Sequence, residues 1–369
     1  MFFKAFDNNA FNNNKDCVAG VDDLLKQYSG SLTDSNKIDL LRLQGDSYFK
    51  LYQYTKAHHC DSILLKQYSS ALKKDKLDDI KNELTMRAAL VGIPPQQVII
   101  TNSTSVPWHR DKIGLVEFPL KTNKKPFDGI FDTRANISTI TTTYAQKLGL
   151  HILNVSYNEG SGATGIQFKT GMGIADSLRI GNVVVKNVVF QVMPDSILYI
   201  APIKFQLNVI IGYPVIEQLQ QVNIYRDGRM TIPASPEPGD LHNFALNGLD
   251  PILALKTGTD TLAFNFDSGA SSSVLYKAYF DRYKTSIIKS AVKKTVGFGG
   301  AGGAQKKEVY VLPKLSLALG DRSTTIDSVS ILTEKITPGE KLYGNIGQDL
   351  TKQFNEVIYN FKYMYIKGI

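Results

Sequence analysis

The sequence predicts a mainly β protein, with two similar β-rich lobes of roughly equal size following a small all-α helical domain. Three observations carry this. First, Phe264-Asn265-Phe266-Asp267-Ser268-Gly269-Ala270 repeats the design of Gly129-Ile130-Phe131-Asp132-Thr133-Arg134-Ala135, an apolar run closed by Asp, a hydroxyl residue and a tight turn, and the aspartates lie 267 − 132 = 135 residues apart. The same offset relates Lys121-Thr122 to Lys256-Thr257 and Ile210-Ile211-Gly212 to Asn345-Ile346-Gly347, while the Gly-rich stretch from Gly160 to Gly165 falls opposite Gly297-Phe298-Gly299-Gly300. Coincident landmarks at one spacing imply an internal duplication over the last two thirds of the chain. Second, apolar residues up to Val91 recur at three and four spacing, as in amphipathic helices. Third, the texture after Pro95 turns to short apolar runs between turn residues, interrupted by a linker from Pro233 to Gly239 with three prolines. The expected domains are therefore 1–96, 97–235 and 236–369.

Taken in order, the Asn-rich opening to about Asn14 is expected to be disordered or loosely attached. Helices follow from Val18 to Val91. Their apolar faces carry Leu24, Leu25 and Tyr28, then Ile38, Leu41, Tyr48, Phe49 and Tyr52, then Ile63, Leu64 and Tyr68, and last Ile80, Leu84 and Ala88. Ser31, Thr33 and Ser35 offer caps, and Gly92-Ile93-Pro94-Pro95 stops the last helix. Gly45, Tyr48, Tyr54 and Ala57 faintly resemble a tetratricopeptide helical pair. A helical cap packed on its neighbour is the simpler reading, and a protein partner docking on this domain is the alternative. In the first lobe, strands are expected at Val98 to Ile100, Gly114 to Leu120 and Phe127 to Phe131. One helix should run from Ser138 to Leu150, with strands from Gly165 to Ile174, Ser177 to Ile180, Val183 to Val192 and Val222 to Ile232. The second lobe repeats this with strands at Pro251 to Lys256 and Thr261 to Phe266, a helix near Ser273 to Tyr283, and strands at Leu315 to Leu319, Ser328 to Leu332 and Val357 to Ile366.

Composition excludes several classes. The chain has 369 residues, 43% hydrophobic and 21% charged, which is the balance of an ordinary globular protein large enough for two or three cores. No apolar run approaches the ~20 residues of a membrane helix. Nor does the opening hold the roughly 7–15 apolar residues of a signal-peptide core. The location is thus expected to be extracytoplasmic, periplasmic or secreted, only if an export signal preceded this sequence. The net charge of +8 is spread along the chain, so it reads as a solvated basic surface and not as a nucleic-acid groove. Cys17 and Cys60 are the only cysteines, too few for a disulfide scaffold or a Cys-based metal site, and a single bond between them is left open. His58-His59-Cys60 does not make a metal site either, because consecutive helical residues point about 100° apart. No cofactor or metal is expected.

The paired segments have a chemistry of their own. An Asp at the end of an apolar strand, followed by a hydroxyl residue and a Gly turn, places a carboxylate within reach of backbone amides. Two such sites meeting across a pseudo-twofold axis would share one proton, because like charges that close do not both ionise cheaply. One Asp then serves as base toward a bound water while the other donates to the carbonyl under attack, without metal or cofactor.

Asp132-Thr133-Arg134-Ala135-Asn136 and Asp267-Ser268-Gly269-Ala270-Ser271, each followed later by an apolar pair and Gly, resemble the active-site signature of pepsin-like and retropepsin-like aspartic proteases. The resemblance runs from about Val98 to Ile369 and implies two retropepsin-like β-barrel lobes in the pepsin-type acid protease fold, of a bacterial two-lobed kind. It implies a polypeptide substrate and a monomer. Carried over residue by residue, it makes Asp132 and Asp267 catalytic, Thr133 and Ser268 the brace between the two loops, Gly269 part of the second turn, and Ile211-Gly212 and Ile346-Gly347 the segments threading beside the Asp loops. In that family a glycine-rich hairpin some 25 to 30 residues beyond each Asp folds over the substrate as a flap. Gly160-Ser161-Gly162-Ala163 and Gly297-Phe298-Gly299-Gly300 lie in that window. A phosphate loop at the second stretch lacks the Gly-Lys-Ser/Thr ending and a following helix.

The first motif departs from the family at Arg134, where Gly is usual. A Gly there lets its amide approach the carboxylate without a Cβ crowding the turn. Arg134 either swings outward at some strain, or pairs its permanently charged guanidinium with the aspartates and abolishes the one-proton state. Two functions follow: a working aspartic endopeptidase, in which Arg134→Gly raises activity, or a catalytically impaired pseudoprotease that binds extended peptides in the inter-lobe cleft by strand pairing. A third reading has the duplicated lobes as a scaffold beside a helical interaction module.

Overall fold

The computed structural model describes residues 1–160, 167–300, 303–336 and 339–369. Five helices open the chain: α1 (Phe2–Ala10), α2 (Asn14–Gln27), α3 (Asp34–Lys50), α4 (Tyr54–Tyr68) and α5 (Lys74–Ala89). The expected disorder before Asn14 is corrected here, because α1 is anchored. Asn9 is buried, and its amide donates to Asp46 at 2.7 Å and to Ser47 at 2.9 Å. α3 starts on a capping box between Thr33 and Asn36.

The first lobe comprises β1 (Gln97–Ile99), β2 (Thr104–Pro107), β3 (His109–Arg110), β4 (Val116–Thr122), β5 (Lys125–Phe131), β6 (Ser138–Thr141), α6 (Thr142–Leu148), β7 (His151–Gly160), β8 (Gln167–Ile180), β9 (Val183–Met193), β10 (Tyr199–Ile200), β11 (Phe205–Gln206), β12 (Val209–Ile211), α7 (Tyr213–Gln218), β13 (Gln221–Tyr225) and β14 (Arg229–Ile232). The second comprises β15 (Phe244–Asn247), β16 (Asp250–Thr257), β17 (Asp260–Phe266), β18 (Val274–Leu275), α8 (Lys277–Ser290), β19 (Val292–Gly300), β20 (Gly303–Leu319), β21 (Arg322–Ile331), β22 (Gly344–Ile346), α9 (Gln348–Thr351), β23 (Glu356–Asn360) and β24 (Tyr365–Gly368). The protein is mainly β after a helical opening, as the sequence predicts.

Strand pairing closes β4-β5-β12-β6-β9-β8 into a ring, and β16-β17-β22-β18-β21-β20 into a second ring of the same order. The rings close because alternate residues point inward. β4 buries Val116, Phe118 and Leu120, and β16 buries Leu253 and Leu255 while their neighbours face out. A third sheet, β2-β14-β13-β23-β24, spans both lobes through the antiparallel pair β13–β23. Its central pair is Asn223 with Ile358, and the outer pairs Gln221–Asn360 and Tyr225–Glu356 interchange when 135 is added to the first-lobe member.

Four sequence expectations need adjustment. The helix expected from Ser138 begins as strand β6, because Ser138, Thr139, Ile140 and Thr141 are all buried and paired with β12 on one side and β9 on the other; tertiary pairing outweighs local propensity. The same holds for β18 ahead of α8. The strands expected separately at 165–174 and 177–180 form one fourteen-residue strand, and the short strand expected at 315–319 is the end of the seventeen-residue β20.

The helical region packs on the first lobe. Phe49, Tyr52, Tyr54 and Leu90 share a cluster with Tyr157, Met172, Ile174 and Val189. The Tyr52 hydroxyl donates to the Pro214 carbonyl at 2.7 Å, and the Gln96 amide donates to the same oxygen at 2.8 Å. Cys17 and Cys60 are both free and buried.

Candidate active site

β5 and β17 each end at an aspartate, and each is held by a parallel partner from the apolar-apolar-Gly segment. Ile130 and Phe131 pair with Ile210 and Ile211, and Asn265 and Phe266 pair with Asn345 and Ile346, so all four positions obey the 135 offset. The Asp132 amide donates to the Ile211 carbonyl at 3.0 Å, and the Asp267 amide to the Ile346 carbonyl at 2.9 Å. The glycines after these pairs are required by space. An added Cβ at Gly212 would stand 2.4 Å from the Ala135 carbonyl oxygen, and one at Gly347 would stand 2.7 Å from that of Ala270.

The two Asp loops are tied to each other reciprocally. The Thr133 amide donates to Ser268 Oγ at 2.9 Å, and the Ser268 amide donates to Thr133 Oγ1 at 3.1 Å. Each hydroxyl donates onward across the pair, Thr133 to the Phe266 carbonyl at 3.3 Å and Ser268 to the Phe131 carbonyl at 2.9 Å. Both side chains are buried, so every polar group in the crossing has its partner inside the protein. Beneath them Tyr359 of β23 lies against both motif strands, its ring centroid 5.4 Å from Phe131 and 5.9 Å from Phe266.

This crossing brings Asp132 and Asp267 together. Asp132 Oδ1 accepts from the Arg134 amide at 2.8 Å and the Ala135 amide at 3.2 Å. Its other oxygen faces the opposite loop so closely that a Cβ at Gly269 would lie 2.2 Å from Asp132 Oδ2. Burial, and after it the charge of Asp267, push the Asp132 carboxyl up to about 7. Asp267 is likewise raised by burial, against which the Arg134 guanidinium and the Asn345 amide act.

Arg134 turns inward. Its Nη1 donates to Asn345 Oδ1 at 3.1 Å and stands 3.8 Å from Asp267 Oδ2, while its Nε stands 3.8 Å from Asp250 Oδ1. The Asn345 Nδ2 in turn donates to Asp267 Oδ2 at 3.1 Å.

Residues 118–215 match the aspartyl protease family model. That stretch contains Asp132-Thr133-Arg134-Ala135 and reaches past Gly212, so the first lobe is similar to that family, and the similarity supports peptide-bond hydrolysis as the class of activity. Its equivalents in the second lobe lie outside the match and are placed beside it by the pairings above. No curated protein matches the chain.

Of the glycine-rich segments, Gly160 ends β7 in a hairpin with β8, and Ser161, Gly162 and Ala163 lie outside the described residues. Gly297, Phe298, Gly299 and Gly300 lie in β19, where Gly300 pairs with Gly303 of β20 near the end of the second hairpin. Among the described residues no group of three or more His, Cys, Asp or Glu is placed to hold a metal ion, and no helix is long and apolar enough to cross a membrane.

Several site residues escape sequence reading. Ser138 and Ser273, 135 apart, each accept the amide of the threading glycine, Gly212 or Gly347, at 3.0 Å. The offset alone would have found them. Asn345 is a landmark of the repeat, but nothing in the sequence marks it as a contact to Asp267 and Arg134. Asp250, half-buried beside Arg134, has no counterpart at Leu115 and left no signal.

Proposed function

We propose that this protein is an aspartic endopeptidase in which Asp132 and Asp267 form a one-proton pair that activates a water. The observation that carries the reading is the reciprocal Thr133–Ser268 crossing, which fixes the two carboxylates against each other with donors already in place. The ionised carboxyl takes a proton from water as its oxygen attacks the peptide carbonyl carbon, and the protonated carboxyl gives its proton to the carbonyl oxygen. The resulting gem-diol collapses as the carbon–nitrogen bond breaks. The amine nitrogen takes a proton from one carboxyl while a gem-diol hydroxyl returns one to the other, so the pair ends with one proton as it began.

The matched ring order and the 135 spacing support an internal duplication, with the two lobes as twin halves meeting at the pair. The β7–β8 and β19–β20 hairpins are proposed as flaps over the cleft, and the substrate as an extended polypeptide pairing with their edges.

A second reading is favoured by one observation, the 3.8 Å approach of Arg134 to Asp267. If the guanidinium holds both carboxylates ionised, the cleft binds peptides without cleaving them. Incubation of an unfolded polypeptide across the acidic to neutral range decides. The first reading predicts fragments that Asp267→Asn reduces by roughly 10² to 10⁴. Thermal stabilisation by pepstatin, a general inhibitor of the resembled family, without turnover, selects the second.

A further inference from the structure

The two halves correspond position by position around the aspartates, but the polar side chains do not. Asn345 stands where the first lobe has Ile210, Asn265 where it has Ile130, Asp250 where it has Leu115, and Tyr276 where it has Thr141. All four gather in the second lobe, on the side toward which Arg134 of the first lobe reaches. Asn345 and Asp250 contact the guanidinium, and the Asn265 amide donates to the Tyr276 hydroxyl at 3.3 Å. Arg134 itself stands where the second lobe has Gly269. The cation and a polar cradle for it thus occur together, on opposite lobes.

We infer that this cradle breaks the symmetry of the pair, so that Asp267 is held as the carboxylate and acts as base toward water while Asp132 carries the single proton. The argument rests on donor and acceptor chemistry. A guanidinium only donates, so its bond to Asn345 must be to the amide oxygen. That leaves the Asn345 NH2 group facing Asp267 Oδ2 at 3.1 Å, and an NH2 group needs an acceptor. A proton on that oxygen would set donor against donor, and the Gly269 amide also donates to this carboxyl, so both contacts favour the ionised form. Asp132 has no such cation-oriented amide, since Ile210 occupies the equivalent place; both of its backbone donors meet Oδ1, which leaves Oδ2, pressed against the Gly269 turn, to carry the proton. Among the described residues, the charged and titratable groups facing the pair are Arg134, Asp250 and Tyr276. Of these Arg134 supplies the attraction, closest to Asp267, and Asp250 pins Nε from the other side. Arg134, Asn345 and Asp250 are positioning residues, and the catalytic meaning of the assignment rests on the endopeptidase reading, whereas the place of the proton does not.

The test is therefore a direct readout of each carboxyl. In full-length protein labelled with 13C at the aspartate side-chain carbons, Asp132→Asn and Asp267→Asn assign the two signals, which are then followed from pH 3 to 9. The expected result is an Asp267 signal in the carboxylate position at pH 5 to 6 while Asp132 remains in the carboxylic acid position. Arg134→Gly should raise the Asp267 midpoint by about one pH unit or more, because an opposite charge within about 4–6 Å lowers a carboxyl by 1–3 units, and Asn345→Ile, which installs the residue the first lobe already folds around, should raise it too by removing a hydrogen bond to the charged form. If turnover exists, the acidic limb of its pH profile moves up with the same variants, and more than the alkaline limb. Both carboxyls ionised at pH 5, the proton on Asp267, or midpoints unmoved in both variants would overturn the assignment. Titration as expected without cleavage of any substrate would leave the assignment standing and sink the endopeptidase reading alone.

Discussion

Replacing Thr133 by Val tests whether the two lobes are joined at the aspartates as described. The substitution keeps the branched shape and leaves no cavity, but removes the hydroxyl that accepts from the Ser268 amide at 3.1 Å and donates to the Phe266 carbonyl at 3.3 Å. Both orphaned groups are buried. A buried polar group without a partner costs about 1–3 kcal/mol, and the longer bond belongs at the low end, so the total is about 2–4 kcal/mol. The single tryptophan, Trp108, reports on the lobe-spanning sheet, where its Nε1 donates to the Tyr225 carbonyl at 2.9 Å. Urea unfolding followed by its fluorescence should show the loss as a lower midpoint, with Tm reduced by several degrees. Thr133→Ser should recover most of it, since Ser268 performs the same task from the other lobe. A Val variant within about 0.5 kcal/mol of the parent, the range of ordinary surface changes, would refute the reasoning.

Three further outcomes follow from the same geometry. Gly269→Ala places a Cβ 2.2 Å from Asp132 Oδ2, so the turn must shift; cleavage should fall at least tenfold, and an unchanged rate would contradict the close approach. The Asn82 side chain of α5 clasps both backbone groups of Asn158 in β7, accepting from its amide at 3.0 Å and donating to its carbonyl. Asn82→Ala should therefore speed amide hydrogen exchange in the β7–β8 hairpin while leaving β19–β20 unchanged, and equal exchange in the parent and the variant would remove the helical region from control of that hairpin. Asp132 carries a folded-state pKa raised to about 7 from 3.8, so its contribution to stability is full below about pH 4 and is lost as pH rises through 7. Between pH 5 and 8 the Tm of the parent should thus drop more steeply than that of Asp132→Asn, and parallel curves would show that Asp132 is not a proton holder.

Much of this was legible because a duplicated chain reports its own symmetry. The offset of 135 located both aspartates, both threading glycines and both hydroxyls of the crossing, and the structure pairs them at that spacing. Local signals failed where pairing overrode them. Ser138-Thr139-Ile140-Thr141 precedes a helix and reads as part of it, yet pairing with strands on both sides makes it a member of the ring. The Asn-rich opening reads as solvent-loving, but Asn9 and Asn12 spend their amides on Asp46 and Glu217, partners distant in sequence. The cradle around Arg134 could not be read because it lies where the two halves differ, and repetition is silent about differences.

The most direct test of the Asp132–Asp267 pair is hydrolysis in 18O-labelled water. An unfolded polypeptide is incubated with the parent protein and with Asp132→Asn and Asp267→Asn, and the fragments are weighed by mass spectrometry. The account predicts new carboxyl termini carrying one 18O atom at first turnover with the parent, and none above background with either variant. Fragments that persist at the parental rate when one aspartate is replaced would contradict it.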